Sequence, residues 1–397
     1  MATMTAKRKK TLRQLAIYMN RMQEMPIPPV GGILELMDMG IRQEEADFLL
    51  KIGTWPLTRS AAQALSGMED ERFEEFFARL LQKGLIMPSV LHDRDRADTF
   101  ELMPLVPGWI ELQLLHGESE TYEKEFARKL EALVLSLKKL NVFPLRPLGG
   151  LFLKNFSKPY ITMGTIRKSQ KPDPAKAIPI NQEVKDAVSS ILPSNDVYAL
   201  VDRSAADNLI CILPCFCRKW HRYAGAPCRF DIPKESCMVV GPFARHVAQM
   251  AGGRLISKKE ALKALEASAK AGAVHSLFHE RDNTGRPETA ICSCCWDCCG
   301  VLGGFNRGAI PLYYKCHYQA AGPDPALCTG CGKCVKHCPT AAITLSGKKA
   351  VIKKDICIGC GQCTLQCPQG AVELVPCQRD VLVPVPKKSH ARIGAKA

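Results

Sequence analysis

The chain has 397 residues, 46% hydrophobic and 23% charged, with a formal net charge of +15. That length suits two or three domains at roughly 150 residues each, and no apolar run reaches the roughly 18 residues a membrane span needs. The basic run Lys7–Lys10 leads into Thr11 to Met22, which keeps Arg13, Gln14, Asn20 and Arg21. No secretory h-region follows it, so the expected compartment is the cytoplasm, with neither export nor a membrane span.

In chain order, residues 1–34 read as a basic flexible arm running into Met25-Pro26-Ile27-Pro28-Pro29. Within 35–140, Gln43 to Ile52 and Thr58 to Leu65 read as short helices, the second capped by Thr58 and stopped at Ser66-Gly67. Glu69 to Lys83 carries Phe73, Phe76, Phe77, Leu80 and Leu81 at helical spacing, with Gly84 placed to end it. The apolar run Leu85-Ile86-Met87, a charged stretch from His92 to Asp98, and Thr99 to Leu105 then read as a hairpin. Three helices and a charged-tip hairpin resemble a winged helix. A longer helix over 118–140 stripes Phe126, Leu130, Leu133, Val134 and Leu137 on one face, for packing on the winged helix or for self-association.

Residues 141–180, rich in Pro and Gly, read as a linker or extended wrapping segment. Residues 181–320 form a mixed, cysteine-rich region with a helix from Lys258 to Ala271 ended by Gly272. A compact unit follows at 321–377, and 378–397 reads as a basic tail.

All 20 cysteines lie at or beyond Cys211. Clustered thiols in a reducing compartment point to metal rather than disulfides. Residues 328–338 place Cys328, Cys331, Cys334 and Cys338 as Cys-x2-Cys-x2-Cys-x3-Cys-Pro, and Cys357, Cys360, Cys363 and Cys367 repeat it 29 residues on. This spacing lets three thiolates wrap one cubane while the fourth crosses to the other. One [4Fe-4S] cluster is expected on Cys328, Cys331, Cys334 and Cys367, and a second on Cys357, Cys360, Cys363 and Cys338. Gly330, Gly332, Gly359 and Gly361 are expected to let the backbone approach the clusters. The unit resembles the bacterial two-cluster ferredoxin domain over about 50 residues, although its six lysines against Asp355 and Glu373 depart from the acidic character of that type. Two clusters at 2− each would bring the net charge to about +11, and the lysines would face an acidic partner or another part of the chain.

The central cysteines fall into two sets. Cys211-x3-Cys215-x-Cys217-Arg218 is followed by Cys228 and Cys237, and Cys292, Cys294, Cys295, Cys298 and Cys299 crowd one short stretch. A radical-SAM loop would need Cys-x2-Cys after Cys215, and this sequence is one residue short. The dense second set, with Cys295-x2-Cys298 at chelating spacing, points to metal, and iron–sulfur is favoured over zinc. The first set holds one site alone or joins the second around a shared cluster. Arg218, Lys219, His221 and Arg222 read as a solvated basic loop, and His275 and His279 as packed or solvated side chains on a helix.

Together with Gly253-Arg-Leu-Ile-Ser and Ala271-Gly-Ala-Val-His275, residues 205–375 resemble a family of multidomain iron–sulfur proteins of anaerobes. The resemblance implies electron transfer and leaves the substrate open. The expected fold class is α+β and multidomain: a winged-helix-like front, a cysteine-rich metal centre and a C-terminal two-cluster ferredoxin. The expected function is single-electron relay between a redox partner and the central site or a second partner. That partner is expected to be an oxidoreductase, flavin-containing and acidic where it docks, because the chain shows no Gly-rich dinucleotide loop between strand and helix. The alternatives are an iron–sulfur redox-sensing regulator and a reductase subunit with chemistry at the central cluster. Nucleic acid is disfavoured because Glu69, Asp70, Glu71, Glu74 and Glu75 outnumber Arg72, Arg79 and Lys83 on the helix that would meet phosphates.

Overall fold

The computed structural model describes residues 4–20, 29–53, 56–89, 98–115, 117–140, 161–164, 197–205, 209–279 and 288–386. None of its helices is long and apolar enough to cross a membrane.

The front begins with a correction. Residues of the expected flexible arm form helix α1 (Ala6–Asn20), with Leu12, Leu15, Ala16 and Met19 fully buried. Apolar residues at i, i+3, i+4 and i+7 make one face that must be covered. Helices α2 (Gly31–Gly40) and α3 (Gln43–Ile52) pack against it. Arg8 fastens the basic end by pairing with Asp38 at 2.7 Å. Leu15→Ala should therefore lower unfolding stability by about 2–5 kcal/mol in a urea titration, whereas a leucine in a flexible arm would leave the midpoint unchanged.

Next come β1 (Leu57–Thr58), α4 (Arg59–Ser66), α5 (Asp70–Gln82), β2 (Ile86–Pro88) and β3 (Thr99–Leu102), the strands forming a sheet in the order β1-β3-β2. Thr58 caps α4 by accepting from the Ala61 N–H at 3.2 Å. The short strand β1 carries no alternating pattern that sequence reading could use. The hairpin tip, residues 90–97, lies outside the described residues. Buried Glu45 takes Arg79 at 3.1 Å and Lys83 at 3.0 Å. Arg79 of α5 and Lys83 at its C-cap are thus turned toward Glu45, while Glu71, Glu74 and Glu75 stay exposed.

After α6 (Ile110–Leu115), α7 (Glu120–Leu140) buries Phe126, Leu130 and Leu133. Its stripe is covered within the chain by α2, α6 and a helix of the central region.

The centre is an eight-stranded sheet in the order β13-β10-β4-β8-β9-β6-β5-β7. Its strands are β4 (Ile161–Gly164), β5 (Ile210–Pro214), β6 (Glu235–Val240), β7 (Arg254–Leu255), β8 (Val274–His279), β9 (Glu288–Cys294), β10 (Leu312–Ala320) and β13 (Leu374–Val383). Neighbours are antiparallel except β10 with β4. Two expected boundaries change. The linker contributes β4, buried along its length inside the sheet, and the tail begins as the second half of β13. Among the helices here, α8 (Val197–Ala205) and α11 (Lys258–Lys270) cover one side of the sheet, and Ser257 caps α11 by accepting from the Glu260 N–H. Helices α9 (Phe216–Tyr223) and α10 (Ala244–Met250) lie toward the front. His275 and His279 sit on β8, a strand and not a helix, and both are buried. His279 Nε2 meets Thr162 Oγ1 at 2.7 Å, and His275 Nδ1 meets Ser293 Oγ at 3.4 Å.

The cysteine-repeat unit is the excursion between β10 and β13. It holds α13 (Lys333–His337), the hairpin β11 (Ile343–Ser346) and β12 (Lys349–Ile352), and α14 (Gln362–Leu365). The short helix α12 (Leu302–Asn306) precedes β10. Three polar side chains fix the unit to the central region. Buried Gln362 donates to the carbonyls of Ala269 and Ala273, Asn306 donates to Pro339 O and Trp296 O at 3.2 Å, and Arg379 donates to Cys357 O.

Candidate metal centres

In the C-terminal unit, Cys328, Cys331, Cys334 and Cys367 line one recess with about 360 Å³ of empty space. Cys338, Cys357, Cys360 and Cys363 line a second of about 330 Å³. The last cysteine of each run thus stands in the other run's recess. The 29-residue repeat survives as geometry: Ala342 N–H donates to Cys338 Sγ at 3.2 Å, and Ala371 N–H to Cys367 Sγ at 3.3 Å. Four thiols, apolar walls and inward amides form a donor set that fits a [4Fe-4S] group.

Gly330 and Gly332 line the first recess and Gly359 and Gly361 the second, and two of the four have a further role. A Cβ on Gly330 would lie 2.0 Å from the Lys348 carbonyl, and one on Gly359 would lie 1.9 Å from that of Tyr318. Both residues also have positive φ, so what they clear is the chain's own backbone.

The recesses differ in exposure. Cys331 is exposed at the first, with exposed Lys333 and Lys348 on the same unit. Cys357 and Cys363 are buried at the second, and burial holds Cys360 well above the ordinary thiol value. Lys349 points its Nζ at the Pro325 and Cys328 carbonyls, inside its own unit.

Nine of the ten central cysteines divide into six and three, with Cys211 in neither group. β5 ends beside Cys215, Cys217 is on the first turn of α9, Cys237 is on β6, Cys292 and Cys294 are on β9, and Cys299 precedes α12. Electrostatic interactions link their thiols in a closed cycle: Cys215 with Cys217, Cys217 with Cys299, Cys299 with Cys294, Cys294 with Cys292, Cys292 with Cys237, and Cys237 with Cys215. The two sequence sets are therefore one site across β6 and β9, with both contributing. Contacts from Cys217 and Cys237 hold Cys215 well below the ordinary thiol value. Contacts from Cys217 and Cys294 do the same for Cys299. Amides add to this: Gly300 N–H donates to Cys217 Sγ at 3.2 Å and Val301 N–H to Cys299 Sγ at 3.3 Å. The remaining trio, Cys228, Cys295 and Cys298, forms a second group with all its sulfurs within 4.8 Å of one another.

Arg218 is the functional residue the sequence reading passed over. It belongs to α9 and is half-buried, donating to Ser236 Oγ and to the Ser293 carbonyl. Burial works against its charge, but the thiols of Cys215, Cys237, Cys298 and Cys295 outweigh that and raise its pKa. One cation is therefore stabilised by thiols of both the six-thiol ring and the trio. The expected solvated basic loop is replaced by this helix, in which Lys219 pairs with Glu123 at 2.7 Å and His221 is buried. The adjacency of Arg218 to Cys217 was the available signal, but its direction was not.

Cys211 on β5 is buried outside the ring, and desolvation pushes its thiol up to about 11. Cys316 on β10 is likewise raised by burial.

Residues 327–372 match the family of the 4Fe-4S dicluster domain. No curated protein and no solved structure matches the chain. The C-terminal unit is thus a 4Fe-4S ferredoxin-type domain with electron-transfer capacity, set in an α+β chain with a cysteine-rich region.

Proposed function

We propose that the chain is an iron–sulfur electron-transfer protein whose ferredoxin unit connects an external redox partner to a polynuclear iron–sulfur centre on the six-thiol ring. One observation carries this reading. Ile358 and Cys360 of the second recess pack into the same buried core as Cys292, Cys294 and Cys299 of the ring. When bound, [4Fe-4S] groups supply one-electron storage at potentials set by burial and hydrogen bonding. The chain's residues do the rest: they hold the thiolates, exclude water between recess and ring, and fix the spacing through Gln362, Asn306 and Arg379.

The unequal exposure gives the pathway a direction. The first recess, with Cys331 and its lysines outward, is the docking end for an acidic, flavin-containing oxidoreductase. The second recess faces the protein's interior. Such docking weakens as salt rises. The winged-helix-like front, whose α5 exposes acids while Arg79 and the C-cap Lys83 turn toward Glu45, serves protein docking in preference to DNA reading. The cytoplasmic setting and the likeness to iron–sulfur proteins of anaerobes belong to the same reading.

Freeze-quench EPR on the anaerobic full-length protein tests it. After mixing with a low-potential reductant, the ferredoxin signals should appear first and a third, distinct signal should grow at their expense. If the ferredoxin stays reduced and no third centre changes state, the ring is structural and the relay reading fails.

A further inference from the structure

We propose that Cys228, Cys295 and Cys298 form a mononuclear site for a thiophilic divalent ion such as zinc, separate from any iron–sulfur cluster, with its fourth position open to a small exogenous ligand. The spacing of the sulfurs carries the inference. Cys228 and Cys295 Sγ are 3.6 Å apart, and Cys295 and Cys298 Sγ are 3.3 Å apart. Thiolates at about 2.3 Å from one tetrahedral ion stand about 3.8 Å from each other. Each thiolate of a cubane ends on a different iron, so its ligands stand farther apart. The chain provides its own comparison: among the described residues, neither the ferredoxin cysteines nor the six-thiol ring contains three sulfurs that converge within 4.8 Å, and this trio does.

The local backbone supports the same use. Cys295-Trp296-Asp297-Cys298 is a chelating turn in which the Cys298 N–H donates to Cys295 Sγ at 3.2 Å. Cys228 comes from 67 residues away and is clamped in place. The Arg229 N–H donates to Asp297 Oδ2 at 2.8 Å, and the Arg229 guanidinium lies 5.6 Å over the Trp296 ring. No fourth His, Cys, Asp or Glu atom joins the group among the described residues, and Cys228 is only half-buried. Three protein ligands with an accessible fourth position are the arrangement of an exchangeable site, whereas structural zinc sites are closed by four.

This site is independent of the electron-transfer reading, because non-iron metal tests the one and iron with EPR tests the other. Total-metal analysis of the full-length, anaerobically isolated protein should find one non-iron divalent ion per chain. Cadmium added after that ion is removed should give a single ¹¹³Cd resonance in the range of three thiolates, and dithiothreitol should shift it. Cys228→Ala and Cys298→Ala should each abolish the ion while iron content and ferredoxin EPR stay unchanged. Asp297→Asn, which keeps all three thiols, should weaken cadmium binding roughly tenfold or more. Loss of iron in either cysteine variant would overturn the proposal, as would failure to hold one equivalent of cadmium or a four-thiolate resonance without added thiol. Unchanged cadmium affinity in Asp297→Asn would overturn the clamp.

Discussion

Changing Cys338 to alanine should remove the cluster held mainly by Cys357, Cys360 and Cys363 and leave the cluster on its own run intact. Cys338 lines the second recess, its sulfur oriented there by the Ala342 amide at 3.2 Å. Cys367→Ala should do the converse, because Cys367 lines the first recess with Cys328, Cys331 and Cys334. Each variant should lose about four irons per chain after anaerobic reconstitution, one cubane's content. The exposures make the two losses distinguishable: the cluster beside exposed Cys331 should react with a bulky external oxidant faster than the one behind buried Cys357 and Cys363. EPR showing that each variant loses the cluster of its own run would refute the crossed arrangement.

The second large effect concerns the ring. Wild-type protein isolated without air should hold about twelve irons per chain, eight in the two cubanes and about four more on the ring. Cys299→Ser should bring the count to about eight with the ferredoxin signals unchanged, because Cys299 contacts both Cys217 and Cys294 and joins the α9 side of the ring to β9. A wild-type count of eight would leave the ring without a cluster. Cys211→Ser is the control: its thiol is buried on the same sheet but contacts no ring sulfur in this structure, so iron should not change.

How far these sites could be read from sequence depended on whether the ligands were local. The eight ferredoxin cysteines lie in two short runs whose spacing follows from how a chain wraps a cubane, so periodicity alone located them. The helix at Lys258 was equally plain, with Ser257 to start it and Gly272 to end it. The helical period of Leu12, Leu15, Ala16 and Met19 is present in the sequence too, but it adjoins the basic run Lys7–Lys10, and charge says nothing about the opposite face of a helix.

The sequence by itself determined that this is a metal protein with a doubled ferredoxin unit and a helical front. Only tertiary structure decided how the ten central cysteines divide. Antiparallel pairing of β5, β6 and β9 brings Cys215, Cys237 and Cys292 together from distant positions, and the Arg229–Asp297 clamp draws Cys228 to a separate trio. Sheet register and a single clamp are non-local: a shift of one residue would turn Cys292 and Cys294 to the other face. Tertiary structure also brought Arg218 under the influence of both thiol groups and placed the ferredoxin unit between β10 and β13, with its second recess toward the ring. Spacing along the chain fixes which thiols share a local turn, and the packing of the sheet fixes which turns share a core.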